Sequence, residues 1–252
     1  MIAGASTGPV VATLAEAVGQ PLQRGAAANG TRRIFLCGPH DPSPVADEEM
    51  VVRLPHGGAD VYIQMLFAAA GLISHLEPQG VWLLHAALAE WQGQGILLAG
   101  PGGTGKSTAS RRLPAPWRSW SDDAALVVPD AEQGFRVHPW PTFSDFFDGG
   151  PGGRWDVAQS LPLGAIFCLY QSGVDRAEAM LRAPAAAEIA AAIAQQSNIR
   201  DRGLNADQLR LRRLRRLDQA LAIAAKIPVF HLDLSLSGAF WEVMAEALSR
   251  RS

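Results

Sequence analysis

Gly100-Pro-Gly-Gly-Thr-Gly-Lys-Ser107 fits G-x-x-x-x-G-K-[ST], and no other stretch constrains the fold as tightly. The pattern belongs to a loop that a strand delivers to a helix N-terminus, where unpaired backbone N–H groups and the positive end of the helix dipole receive phosphate. Ile96-Leu97-Leu98-Ala99 before the loop reads as a short buried strand, and Ser107 to Arg112 as the start of a helix. Gly102, Gly103 and Gly105 let the backbone wrap closely around an anion. In this pattern Lys106 would reach the β- and γ-phosphates, and the Ser107 hydroxyl would hold Mg²⁺. Gly100, Thr104 and Thr108 complete the candidate nucleotide-binding set.

The chain has 252 residues, of which 48% are hydrophobic and 18% charged, enough for one large domain with a sizeable core. A net charge of −2 argues against general nucleic-acid binding. Lysine occurs only at positions 106 and 226, all other basic residues being arginine. A phosphate loop calls for the compact ammonium of Lys106 rather than a planar fork. Cys37 and Cys168 stand far apart, so neither a disulfide framework nor a cysteine metal cluster is expected. The first twenty residues carry no basic n-region, and Val61 to Leu76 is too short and interrupted to cross a membrane. The expectation is a cytoplasmic protein without membrane contact.

Periodicity predicts strands at Arg33–Cys37 and Met50–Leu54, then a helix over Ala59–His75. Val81 to Trp91 reads as one strand. The turn Gln92–Gly95 returns it as the strand that feeds the loop, so the loop is fed by a hairpin and not by a parallel crossover. Trp117–Trp120, the hairpin Ala124–Val128/Phe135–His138, Leu163–Tyr170 and Val229–Leu232 are further strands. Asp145–Asp156 reads as loop. Helices are expected over Ala185–Gln196, Asn205–Lys226 and Gly238–Arg250. The pattern is α/β with a mixed, α+β-like sheet. Residues 1–78 would form N-terminal strands and a helix, a small substrate-binding subdomain, and 79–252 the catalytic domain.

Phosphoryl transfer needs a phosphate cradle, a divalent ion and a group that orients or deprotonates the acceptor. Asp122 and Asp123 stand at the end of a predicted strand. One could hold Mg²⁺ and the other accept the acceptor's proton, since adjacent strand-end side chains point to opposite sides. Asp123 is the preferred base, with Asp122 near the metal. His85 is either a hydrogen-bonded core residue or a group that stabilises charge near a phosphate. In His138-Pro-Trp140-Pro, stacking on a base competes with simple loop packing, which also accounts for Phe143, Phe146 and Phe147. Leu204, Leu211, Leu214, Leu217 and Leu221 give the Arg-rich helix an apolar stripe, which predicts leucines inward and most arginines on a solvated face. Arg200 and Arg202 precede that helix and are candidates for a phosphate or an acidic peptide.

From Leu83-Leu-His85 through Ser121-Asp-Asp-Ala-Ala-Leu-Val127, the order strand-with-His, Gly turn, strand, phosphate loop and Ser-Asp-Asp resembles the catalytic domain of HPr kinase/phosphorylase. The phosphoenolpyruvate carboxykinases have a similar hairpin-fed loop followed by paired aspartates. The resemblance implies that fold and an ATP- and Mg²⁺-dependent kinase acting on a serine hydroxyl of a peptide or small protein. By position it assigns catalytic roles to His85, Lys106 and Asp122 or Asp123, and magnesium to Ser107. Family members often assemble as oligomers, which brings a homo-oligomer into view. Thr108 stands where HPr kinases typically have Glu, the glycine-rich C-terminal signature of the reverse reaction is missing, and no separate N-terminal domain is recognisable. These departures point away from HPr as acceptor and towards smaller relatives encoded with peptide natural-product pathways, among them kinases of the C-terminal serine of lasso-peptide precursors. A small-molecule kinase of the same fold and a non-catalytic nucleotide-dependent switch are the competing readings. The His85 and Asp-Asp pairing weighs against the switch, which needs neither.

Overall fold

Two units divide the chain, residues 1–79 with 141–158 and residues 80–140 with 159–252. The computed structural model describes residues 2–3, 14, 34–37, 50–53, 61–132, 134–142, 155–198 and 200–250. In the first unit, β1 (Ile2–Ala3), β2 (Ile34–Cys37) and β3 (Met50–Arg53) form a parallel sheet in that order, with Ile34 opposite Met50. Helix α1 (Val61–Leu76) follows, burying Met65, Ala68, Ala69 and Ile73 at helical spacing. The expected Asp145–Asp156 loop and Phe143, Phe146 and Phe147 lie almost wholly outside the described residues.

The second unit is a mixed α/β structure on a nine-stranded mixed sheet. Its strands are β4 (Trp82–Leu84), β5 (Ala86–Trp91), β6 (Gln94–Ala99), β7 (Arg118–Ser121), β8 (Ala125–Asp130), β9 (Gly134–Pro139), β10 (Leu161–Gln171), β11 (Arg176–Ala179) and β12 (Val229–Leu234). Its helices are α2 (Lys106–Arg112), α3 (Arg182–Gln195), α4 (Ala206–Lys226) and α5 (Phe240–Ser249). The main branch runs β7-β5-β6-β10-β12-β11. Strands β6, β10 and β12 are parallel, and the outer pairings are antiparallel. A smaller antiparallel branch, β4-β8-β9, joins through β9 to the first residues of β10.

Alternation along the strands assigns the two faces. Leu97, Ala99, Ile166 and Cys168 join Ile189, Ile193, Ala220 and Ile223 in a core under α3 and α4. Ile96, Leu98, Phe167 and Leu169 join Ala109, Phe240 and Met244 under α2 and α5. Each fully buried Leu or Phe contributes about 1.5–3 kcal/mol, so β6 and β10, apolar on both faces, anchor the unit. Strand β10 changes register between Leu163 and Ala165. Gly164 sits in that bulge because a Cβ there would lie 2.3 Å from Gln94 Oε1.

The β5–β6 connection is the expected hairpin. Gln92 and Gly93 both have positive φ, 50° and 77°, as a two-residue turn of primed type requires. Val81–Trp91, however, is not one strand. It breaks at His85, β4 pairing with β8 and β5 with β6 and β7. The backbone N–H of His85 turns out of the sheet to Ala192 O on α3 at 3.0 Å. That carbonyl lies in the last turn of α3, where the Gln196 N–H bonds Ala194 O instead. Strand β11 went unread in the sequence, because Arg-Ala-Glu-Ala gives little apolar alternation.

The Arg-rich helix keeps Arg210, Arg213 and Arg215 exposed, as expected, but does not turn all its leucines inward. Leu211, Leu214 and Leu217 are 51%, 51% and 43% exposed, while Arg216 is buried at 6%. The inward face carries Ala220 and Ile223 in the core, and Asp201 pairs the arginines beside them, its oxygens lying 2.7 Å from Arg216 Nη2 and 3.2 Å from Arg212 Nη1. A carboxylate placed from outside the helix holds these arginines in place. Asn205 starts α4 with a capping box, its Oδ1 accepting from Gln208 N and its N–H donating to Gln208 Oε1, both at 2.9 Å.

Candidate functional site

Antiparallel pairing brings several strand ends to one edge of the main branch. Ala86 at the start of β5 lies opposite Ala99 at the end of β6, and Cys168 of β10 also faces Ala99. Ser121 at the end of β7 faces Leu88 of β5. The glycine-rich loop, His85 and Asp122–Asp123 therefore all leave the sheet at this edge, where open α/β sheets take ligands.

Gly103 and Gly105 hold φ of 80° and 99°, conformations that a side chain would strain. A Cβ at Gly102 or Gly103 would meet nothing within 4 Å, so the outer face of the loop is open. Thr104 folds inward, its hydroxyl donating to Pro101 O at 2.7 Å, and Gln171 Nε2 at the end of β10 donates to Gly103 O at 2.9 Å. Lys106, 4% exposed, donates from Nζ to Gly100 O and Pro101 O, both at 3.0 Å. Burial pulls its ammonium below the ordinary lysine value, and the Asp123 charge opposes that shift. Ser107 is half-buried and Thr108 exposed at the start of α2.

Asp123 and His85 are in direct contact, Oδ1 to Nε2 at 2.8 Å. On the other side of the ring, Nδ1 lies 2.5 Å from Gln195 Oε1 at the end of α3. Two acceptors face the two ring nitrogens. That arrangement satisfies a doubly protonated imidazole, or, with the amide turned over, a neutral ring that donates from Nε2 to Asp123. Gln196 Nε2 adds a 3.4 Å contact to Asp123 O, and Ser121 Oγ closes the turn on Ala124 O at 2.8 Å. Asp122 points elsewhere, 3.9 Å from Arg111 Nη2 on α2, and is about one-third exposed. The two aspartates thus take different surroundings, as adjacent strand-end residues should.

Beside the loop lies a cavity of about 480 Å³ between α2 and the ends of β10 and β12, lined by Thr104, Ala109, Gln171, Leu234, Ser235 and Leu236 among others. Arg112 fixes one wall, donating to Ser235 O at 2.9 Å and to Gly238 O.

The other sequence candidates have surroundings of their own. Arg200 is buried, and its Nη2 donates to Gln196 O at 3.1 Å and Ser197 Oγ at 2.9 Å, which fixes the segment before α4. Arg202 is exposed in the same segment. His138 is half-buried in β9 opposite Leu126, and Trp140 is packed, 7% exposed with its backbone N–H on Ala124 O. Among the described residues, no group of three His, Cys, Asp or Glu side chains is placed to hold a metal ion. Gln195 was not foreseen. A glutamine ending an Ala-rich helix carries no signal of its own, and only the fold brings it to His85.

The class defined by this arrangement is a mixed α/β protein with a glycine-rich loop and a His–Asp pair at one sheet edge. The chain belongs to the family described as SynChlorMet cassette protein ScmC, whose model matches residues 57–249, more than half of the sequence. No curated protein matches it.

Proposed function

We propose that the chain is an ATP-dependent kinase of the HPr kinase-like fold, transferring phosphate to a serine hydroxyl of a peptide or small protein. One observation carries the reading: Asp123, which leaves the sheet at the same edge as the glycine-rich loop, is hydrogen-bonded to His85 at 2.8 Å. A bare anion loop needs no such pair, whereas transfer to a hydroxyl needs a base beside the cradle.

In this reading Gly102, Gly103 and Gly105 open the backbone to the phosphates. Lys106 spends two donors on loop carbonyls and keeps one for phosphate oxygen. Asp123 takes the proton of the acceptor hydroxyl. His85 holds Asp123 in place, and Gln195 fixes the ring. The cavity between α2 and β12 suits the nucleoside, with Ala109, Leu234 and Leu236 as apolar surface and Gln171 and Ser235 as polar groups. The oxygen donors Ser107 and Asp122 suit Mg²⁺, and Asp122, about one-third exposed, has only a long surface pair to give up. Bound there, the ion would neutralise charge on the phosphates.

The acceptor suggested by the sequence resemblance is a serine-ended peptide of the lasso-precursor type. The test is incubation with γ-labelled ATP, Mg²⁺ and serine-ended peptides, read by intact mass, with Lys106→Ala as control. Phosphate on peptide, absent in the control, is the expected result. Tight ATP binding with no transfer to any peptide would overturn it and favour a switch or a small-molecule kinase.

A further inference from the structure

We propose that the outward face of α4 is a self-association surface that pairs two copies of this chain antiparallel. Leu211, Leu214 and Leu217 stand on that face, each between 43% and 51% exposed. A leucine row one turn apart on a capped 21-residue helix is unusual on a solvated surface, and Ala220, Ile223 and the paired Arg216 on the opposite face show that the helix is already packed there.

The pattern around Leu214 selects the occupant. Leu211 lies three residues before it and Leu217 three after; Arg210 lies four before and Asp218 four after, both exposed. An antiparallel second copy, with Leu214 at the two-fold axis, sets Leu211 against the partner's Leu217 and Arg210 within reach of the partner's Asp218. Each pair occurs twice, as an isologous interface demands. A parallel copy would set Arg210 against Arg210 and Asp218 against Asp218, which is repulsive. Arg213 and Arg215, adjacent to Leu214, project to opposite edges of the helix and stay on the wet rim. One helix pair offers less than the roughly 800 Å² per partner of a standard interface, so the association is of the weak, concentration-dependent kind.

Sedimentation velocity over rising concentration of the full chain tests this. The wild type should pass from monomer to dimer. Leu214→Glu, with folding checked by circular dichroism, should weaken association by more than about a hundredfold. Arg210→Asp and Asp218→Arg should each weaken it, and the double variant Arg210→Asp/Asp218→Arg should restore it, since the pair is only inverted. A wild type that stays monomeric, a dimer indifferent to Leu214→Glu, or a double variant as weak as the singles would overturn the proposal. So would a monomer that uses the leucine row to bind another protein.

Discussion

His85 Nε2 and Asp123 Oδ1 meet at 2.8 Å, each at a point where the chain crosses between branches of the sheet. His85 links β4 of the smaller branch to β5 of the main one, and Asp123 lies in the turn from β7 back to β8. The hydrogen bond ties these crossings together. The end of α3 supports both, through His85 N–H on Ala192 O and Gln196 on Asp123 O.

If Asp123 is the base, Asp123→Asn should lower turnover by about 10²–10⁴ while nucleotide affinity changes little. Equal loss of nucleotide binding would instead make Asp123 a metal ligand. Gln195→Leu should act through His85, displacing the pH profile of transfer. It should add nothing in a His85→Ala background, because the two act as one unit. A full additional loss in the double variant would sink the positioning role.

Lys106→Ala should remove transfer and weaken nucleotide binding together. Losing one preorganised charged donor costs at least about a hundredfold in rate. Calorimetry with ATP and with adenosine separates the effects: ATP affinity should fall and adenosine affinity hold, since the nucleoside cavity does not include Lys106. Equal losses of both would mean that the substitution collapses the loop, whose carbonyls the ammonium ties together.

The loop was legible because its sequence pattern and its backbone have the same requirement. Only glycine reaches the positive φ of Gly103 and Gly105 without strain, so the conformation is written in the residue type. The Gln92–Gly93 hairpin was readable for a similar reason. The break at His85 was not, because Val81–Trp91 contains no Gly or Pro and its cause is a helix carbonyl more than a hundred residues away. The burial of Arg216 on α4 has the same kind of cause. Hydrophobic spacing marked the leucine stripe, but the face that packs carries Ala220, Ile223 and an arginine whose partner, Asp201, lies outside the helix.

That carboxylate is the basis of a stability prediction. Asp201→Ala leaves the buried Arg216 guanidinium without its main partner, and Arg216 Nε already lacks one. The loss should be about 3 kcal/mol, the lower end for a broken buried pair, because Asp201 itself keeps some exposure. Urea unfolding measures it. Arg216→Met in the same background should recover much of the loss, since an apolar side chain of similar length has no charge to strand. A double variant as unstable as Asp201→Ala would show that packing, not the stranded charge, was responsible.

Alkaline stability should carry two opposed signatures. Burial lowers Lys106 from 10.5, so the native state binds fewer protons than the unfolded chain between that lowered value and 10.5, and stability rises with pH across the interval. Burial, with the Glu188 charge adding to it, pushes the Cys168 thiol from 9.0 up to about 12. Its native state therefore holds a proton that the unfolded chain releases. The stabilisation is complete below pH 9 and is lost as pH rises towards 12. Cys168→Ala should remove this second slope and leave the first, so the difference between the two proteins' unfolding free energies should shrink as pH rises above 9. Alkylation followed by peptide mapping gives an independent check. Cys168, 1% exposed, should label in urea and not in buffer at neutral pH. Rapid labelling of the folded protein would contradict the protonated, buried thiol on which the pH argument stands.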